Sequence, residues 1–261
     1  MGKADKRARQ KERRAAIAAA QRSAAQRRRI IRAAVVGVLL LGVIGLALFT
    51  GNDESDEGGG TAACGADAPE AASPHQYDSP PPMRLEEGVD YGAVMETSCG
   101  SFEMDLLEDE APETVNNFVF LARENFYDGL TFHRIEDNQV IQGGDPEGTG
   151  QGGPGYAIPD ELPESRKDYV YGTVGMANSG PDTGGSQFFV VVRDPDPEGG
   201  FEPAGYPPNY SIFGEVDPGD EQSVQTLTRI STRPVAGGQD PAAATVPEVP
   251  VYIEDVKITE A

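Results

Sequence analysis

Between residues 131 and 146 the sequence reads TFHRIEDNQVIQGGDP, with one arginine standing among apolar residues. Phe132 and Arg134 are two apart, as are Val140 and Gln142. On a strand, that spacing puts both side chains of a pair on one face. Two strands joined through Glu136, Asp137 and Asn138 would then bring a guanidinium and a carboxamide together above an apolar floor. Such a pair suits recognition of a neutral polar group. Nothing in the stretch has the pattern of a nucleophile, a metal cluster or a nucleotide cradle.

A second dense stretch, GMANSGPDTGGSQFFVVV, covers residues 175–192. Its glycines, proline and asparagine predict a tight turn region between two strands. On the second strand Gln187, Phe189 and Val191 share one face, and Phe188, Val190 and Val192 share the other. A strand apolar on both faces is buried, so Gln187 on it requires a partner or a ligand.

The elements that must position these residues are legible in outline. Residues 101–106, SFEMDL, alternate strictly between polar and apolar, which predicts a half-buried strand preceded by a hairpin turn at Cys99 and Gly100. Pro112 and Glu113 suit the first turn of a helix whose Val115, Phe118, Val119 and Ala122 fall on one face. Residues 210–214 and 251–258 read as two further strands, and 224–230 as a short amphipathic helix. Residues 148–153, GTGQGG, match GxGxxG formally, but Pro154 follows and no helical pattern opens, so they read as a glycine-rich loop. Residues 194–199 imitate the start of a calcium loop, yet its twelfth position is Gly205 and two prolines interrupt it.

The two dense stretches together, FHRIEDNQVIQGGD and then GMANSGPDTGGSQFF, closely resemble the signature segments of the cyclophilins, which are peptidyl-prolyl cis-trans isomerases. The resemblance runs from about Gly88 to the C-terminus and includes the PETVNNFVFLA helix and the YSIFG strand. It implies a mainly β fold, a closed eight-stranded antiparallel barrel capped by two helices. It places the family's catalytic arginine on Arg134 and its supporting glutamine on Gln142. The segment that binds the peptide backbone falls on Ala177, Asn178 and Ser179, the second glutamine on Gln187, and the aromatic floor of the proline pocket on Phe189. Phe132 is carried as a further substrate-binding position. Gln139 and Val140 stand where the family usually has phenylalanine and methionine. Tyr210 stands for the pocket histidine and Tyr206 for the pocket leucine, and the chain has no tryptophan. The implied function is acceleration of X-Pro rotation in secreted or envelope proteins, with Arg134 stabilising the twisted imide and no cofactor. A prolyl-peptide binding or chaperone module with weak or lost catalysis is the alternative that Gln139 and Tyr210 leave open.

At 261 residues the chain has room for one full domain plus appendages. Its net charge of -22 is uneven: residues 1–32 carry +10, leaving -32 for the rest. So acidic a body repels nucleic acid. Residues 33–50 hold no charge over 18 positions, which suits a single transmembrane helix with the basic arm kept cytoplasmic. A cleaved signal peptide is the competing reading. The expected organisation is a basic arm at 1–32, a bilayer span at 33–50, an acidic and Pro-rich tether at 51–87 and the isomerase domain at 88–261, outside the cytoplasmic membrane and monomeric. His75, in the tether, reads as solvated. The only two cysteines, Cys64 and Cys99, give one disulfide in an oxidising exterior, with two free thiols as the alternative.

Overall fold

A computed structural model describes residues 61–69, 76–164, 169–193, 209–237 and 243–261. All of them belong to one compact unit, Gly60–Ala261. The arm at 1–32, the span at 33–50, His75, Tyr206 and the insert at 194–208 lie outside the described residues. Among the described residues no helix is long and apolar enough to cross a membrane.

The alternation expected at 101–106 is a strand, β2 (Gly100–Leu106), in a hairpin with β1 (Tyr91–Thr97). The turn is held by Thr97, whose hydroxyl donates to the Gly100 carbonyl at 2.6 Å and accepts the Cys99 N–H at 3.2 Å. Helix α1 (Pro112–Arg123) follows, with Pro112 in its first turn. Its free N-terminal donors are met by a distant carboxylate: Glu161 accepts from the Glu113 N–H at 3.1 Å and the Thr114 N–H at 2.8 Å. A negative charge there also complements the helix dipole.

The remaining strands are β3 (Arg134–Glu136), β4 (Val140–Gly143), β5 (Thr173–Met176), β6 (Phe188–Val191), β7 (Ile212–Glu215) and β8 (Ile253–Glu260). Helix α2 (Glu221–Ser231) lies between β7 and β8. The strand order is β3-β4-β6-β5-β7-β2-β1-β8, and each of these pairings is antiparallel. The eight strands and two α-helices among the described residues agree with the expected inventory.

The closed barrel does not. β3 and β8 end the order without a ladder between them, so the sheet is an open half-barrel. The chain just ahead of each end strand touches across the seam, through an isolated bridge between Thr131 and Tyr252 and the Phe132 N–H on the Val251 carbonyl at 2.9 Å. Thr131 also bridges to Asp145, so the pairing there is split between two partners and does not propagate into β3.

The interior is aromatic: Phe102, Phe118, Tyr127, Phe132, Phe188 and Phe213 are all fully buried. Each of these phenylalanine side chains contributes about 1.5–3 kcal/mol by leaving water. A smaller apolar cluster of Leu107, Val140, Tyr169, Phe189, Val191 and Ile212 is separate from it, with Ala177 and Tyr210 packed alongside. β6 divides between the two as its pattern predicted, Phe188 and Val190 going to the first cluster and Phe189 and Val191 to the second.

Parts of the segment expected to be a free tether are docked. Cys64 and Cys99 are joined by a disulfide with their Cα atoms 5.2 Å apart, and the Ala63 N–H bonds the Pro250 carbonyl at 2.9 Å. Residues 76–84 lie against α1 and the glycine-rich loop. Tyr77 packs edge-on against Phe120 at 5.1 Å, and Asn116 accepts the Arg84 N–H at 2.8 Å while donating to the Pro82 carbonyl at 3.2 Å. The folded unit therefore starts well before Gly88, because one tyrosine and a set of backbone hydrogen bonds anchor a stretch that shows no apolar periodicity.

Candidate active site

Arg134 and Gln142 are direct partners in the β3–β4 register. Antiparallel partners share a face, and here the Arg134 Nη1 donates to the Gln142 Oε1 at 3.0 Å. The Arg134 Nη2 makes an ion pair with Glu136, two residues along the same strand. The two side chains are 30% and 29% exposed, so the guanidinium is neither sealed off nor fully in water.

The amide of Gln142 extends the line. Its Nε2 donates to the Gln187 Oε1 at 3.0 Å, and the Gln187 Nε2 donates to the Gly152 carbonyl at 2.8 Å. Gln187 thus has the partners its buried strand demanded, and its own carbonyl accepts the Ala177 N–H at 2.9 Å. The glycine-rich loop that carried no dinucleotide signal ends this line of hydrogen bonds.

Beside it lies the smaller apolar cluster. Phe189 sits opposite Gln142 in the β4–β6 ladder, and Val140 is on the same strand as Gln142. The Phe189 ring lies across Gly175, where an added Cβ would come within 2.4 Å of its Cζ, so a glycine is required for the ring to lie there. Tyr210 meets Phe189 edge-on at 5.4 Å, and Tyr169 stacks on Phe189 at 6.5 Å. The Tyr169 hydroxyl donates to the Tyr210 carbonyl at 2.6 Å and accepts the Tyr210 N–H at 3.2 Å, fixing the backbone that presents that ring.

The turn after β5 forms another wall. The Asn178 side chain donates to Asp160 at 3.1 Å and to the Asn209 carbonyl at 2.7 Å, while the Ser179 N–H bonds the Thr183 hydroxyl at 2.9 Å. Gln139 is half-buried at the β3–β4 turn, where its N–H bonds the Glu136 carbonyl and its carbonyl accepts the Val192 N–H.

Phe132 is not part of this surface. It is fully buried in the large core, edge-on to Phe188 at 6.0 Å. Pairing with β4 starts only at Arg134, so the two-residue alternation does not reach back to it. Three participants were missed. Glu136 shares Arg134's strand face, and the same spacing rule could have found it. Tyr169 and the Gly152 carbonyl reach the site through loops, for which the sequence carries no signal.

His133 lies next to Arg134 and is buried, and neither ring nitrogen has a hydrogen-bond partner among the described residues. Burial holds its pKa below the ordinary 6.5, Asp145 opposes that shift, and the positive Arg134 adds to it. Burial also pushes the Tyr156 hydroxyl well above the usual phenol range, with Tyr77 adding to the shift. Among the described residues no group of three or more His, Cys, Asp or Glu is arranged to hold a metal.

Comparison with known proteins places the chain. The family described as "Cyclophilin type peptidyl-prolyl cis-trans isomerase/CLD" matches residues 93–258. A peptidyl-prolyl cis-trans isomerase of Synechococcus elongatus is 48% identical over 105 residues, covering 40% of this chain and 70% of that protein. One from Helicobacter pylori is 40% identical over 133 residues, covering 51% and 76%. The crystal structure of a cyclophilin type peptidyl-prolyl cis-trans isomerase of Cryptosporidium parvum superposes with a TM-score of 0.53 at 28% identity, over 65% of this chain and 98% of that one. The same parasite protein crystallised in the presence of the dipeptide Ala-Pro gives a TM-score of 0.52 at 29% identity over 64% and 98%. With a family match over more than half its length and relatives this similar, the chain belongs to the cyclophilin-type peptidyl-prolyl cis-trans isomerases.

Proposed function

We propose that this protein accelerates cis-trans rotation about X-Pro bonds and that Arg134 is the group that lowers the barrier. An X-Pro bond has cis and trans forms within about 1 kcal/mol of each other, separated by roughly 18–20 kcal/mol of amide resonance. At the twisted transition state the prolyl nitrogen becomes pyramidal and gains a lone pair. A guanidinium N–H aimed at that lone pair stabilises the twisted form more than either planar form, which is the requirement for catalysis. A thousandfold acceleration asks for only about 4 kcal/mol.

One observation carries this reading: Arg134 is held by Gln142 at 3.0 Å, beside the apolar surface of Val140, Phe189 and Tyr210. Phe189 and Val140 would clamp the pyrrolidine ring while the backbone of Ala177, Asn178 and Ser179 holds the preceding residue. Rotation then occurs against a fixed end, and Arg suits the role better than Lys because its planar fork can be oriented by a partner amide. Tyr206 is assigned to the same pocket from the sequence resemblance alone.

The substrates in this proposal are proline-containing segments of secreted or envelope proteins, met by a single-pass, monomeric protein anchored in the bilayer through residues 33–50. The uncharged 33–50 run and the basic arm before it support that placement. Protease added to intact cells should degrade the domain, and full protection would refute it. For the activity, exchange spectroscopy on an Ala-Pro peptide should show acceleration by the protein and a loss of about tenfold to a hundredfold in Arg134→Ala, the cost of a charged hydrogen bond made at the transition state. Binding without acceleration in the unaltered protein would instead favour a prolyl-peptide binding module, the outcome that Gln139 and Tyr210 make worth measuring.

A further inference from the structure

Three consecutive carbonyls of the glycine-rich loop are captured from two directions. Gly152 accepts from the Gln187 Nε2 at 2.8 Å, Gly153 from the Gln76 Nε2 at 2.9 Å, and Pro154 from the Tyr77 N–H at 2.8 Å. The first donor belongs to the site. The other two belong to the strap that precedes the sheet.

The strap is itself anchored. Tyr77 lies among Phe120, Phe126 and Tyr156 at centroid distances of 5.1, 6.5 and 6.4 Å. Gly155, at φ +97°, makes the approach feasible, since a Cβ there would stand 2.6 Å from the Tyr77 carbonyl and 2.9 Å from the Gln76 side chain.

The line from loop to arginine has a fixed direction. A guanidinium only donates and a backbone carbonyl only accepts. With Arg134 at one end and Gly152 at the other, both intervening amides have one orientation that satisfies every contact. Gln187 must turn its Nε2 to Gly152, which turns its Oε1 to Gln142, which in turn faces its own Oε1 to Arg134. Displacing the Gly152 carbonyl removes the end that sets this direction. Gln187 is then free to reverse, and Gln142 loses the partner that keeps its oxygen on the guanidinium.

We propose that Gln76 and Tyr77 are positioning residues for Arg134, acting through the pinned Gly152–Pro154 carbonyls and the Gln187–Gln142 relay. The proposal rests on the assignment of Arg134 as the catalytic residue. It makes a segment remote in sequence from both signature stretches part of the catalytic apparatus.

The test uses the full-length protein and the Ala-Pro peptide, comparing Gln76→Ala, Gly155→Ala, Gln187→Ala and the double variant Gln76→Ala/Gln187→Ala. Met83→Ala serves as the control, since Met83 is exposed and makes none of the hydrogen bonds to Gly152, Gly153 and Pro154. Gln76→Ala should lower kcat by about threefold to tenfold, the effect of one lost hydrogen bond, with KM changed by less than about twofold. It should add nothing further in the Gln187→Ala background, because coupled residues are not additive. The Gln187 side-chain amide protons should also exchange with solvent faster in Gln76→Ala. Gly155→Ala should give the same kcat loss, and Met83→Ala none.

A kcat equal to that of the unaltered protein in Gln76→Ala, while Arg134→Ala is impaired, would overturn the inference and leave the isomerase reading standing. So would a loss that multiplies with that of Gln187→Ala. If the unaltered protein does not accelerate rotation, the isomerase reading fails, and unchanged Gln187 amide exchange in Gln76→Ala would then refute the relay by itself.

Discussion

Arg134 is constrained on two sides, by Gln142 through one nitrogen and Glu136 through the other. Two-residue spacing made the Arg134–Gln142 pair legible, since both lie inside regular strand. The same rule misplaces Phe132, because the ladder begins only at Arg134, and it holds for Glu136, two residues along the same strand. His133 supplies a pH prediction. Its folded pKa is held below 6.5 by burial, so as pH falls through 6.5 the unfolded chain takes up a proton that the folded chain resists. Stability should therefore decline as pH falls from that value toward the lowered folded one, at up to about 1.4 kcal/mol per pH unit. Urea unfolding at about pH 7 and about pH 5.5 should show a smaller loss in His133→Gln than in the unaltered protein. An identical loss in both would refute the assignment.

At the scale of elements, β6 was readable because an apolar strand with one glutamine states its own problem, and the fold answers it with a core on each face. Helix α1 was readable along its apolar face and in its first turn at Pro112 and Glu113, but not in what caps it. Its capping carboxylate, Glu161, is 48 residues away from Glu113 in sequence, and no local pattern announces it. Helix α2 is capped locally: Asp220 accepts from the N–H groups of Gln222 and Ser223 at 3.1 and 3.2 Å. The Ser223 hydroxyl lowers the Asp220 pKa most, with those backbone donors helping. Asp220→Ala should cost about 1 kcal/mol, seen as a lower thermal midpoint with peptide turnover by the folded protein unchanged. Asp220→Asn should recover most of the loss, and equal damage from both would show that the cap contributes nothing. The open seam between β3 and β8 was beyond sequence reasoning because it depends on how two distant stretches divide their pairing at Thr131.

For the molecule as a whole, the family and fold class could be read from two motifs, whereas the edge of the folded unit could not. Composition marks 51–87 as Pro-rich, Gly-rich and acidic, the profile of a linker. What anchors its described parts is a single ring, a few hydrogen bonds and a disulfide, none of which leaves a periodic trace. The disulfide closes a separation of 35 residues. By loop-closure entropy that is worth about 3 to 4 kcal/mol, less any strain. Reduction, or the pair Cys64→Ser and Cys99→Ser, should therefore lower the denaturation midpoint while leaving the turnover of folded protein intact, because Gln76 and Tyr77 are held by their own contacts to Gly153, Pro154 and Phe120. A midpoint unmoved by reductant would remove the stapling role.

The docked strap also bears on how the protein should be cut for laboratory use. An expression fragment begun at Gly88, where linker-like composition stops, would discard Gln76, Tyr77 and Cys64 together. It would leave Cys99 as a lone thiol and uncover the aromatic patch of Phe120, Phe126 and Tyr156. Such a fragment would be prone to mispaired dimers and sticky on columns, and its low activity could be mistaken for a property of the natural protein. Starting at Gly60 keeps the strap, the staple and the relay in one piece.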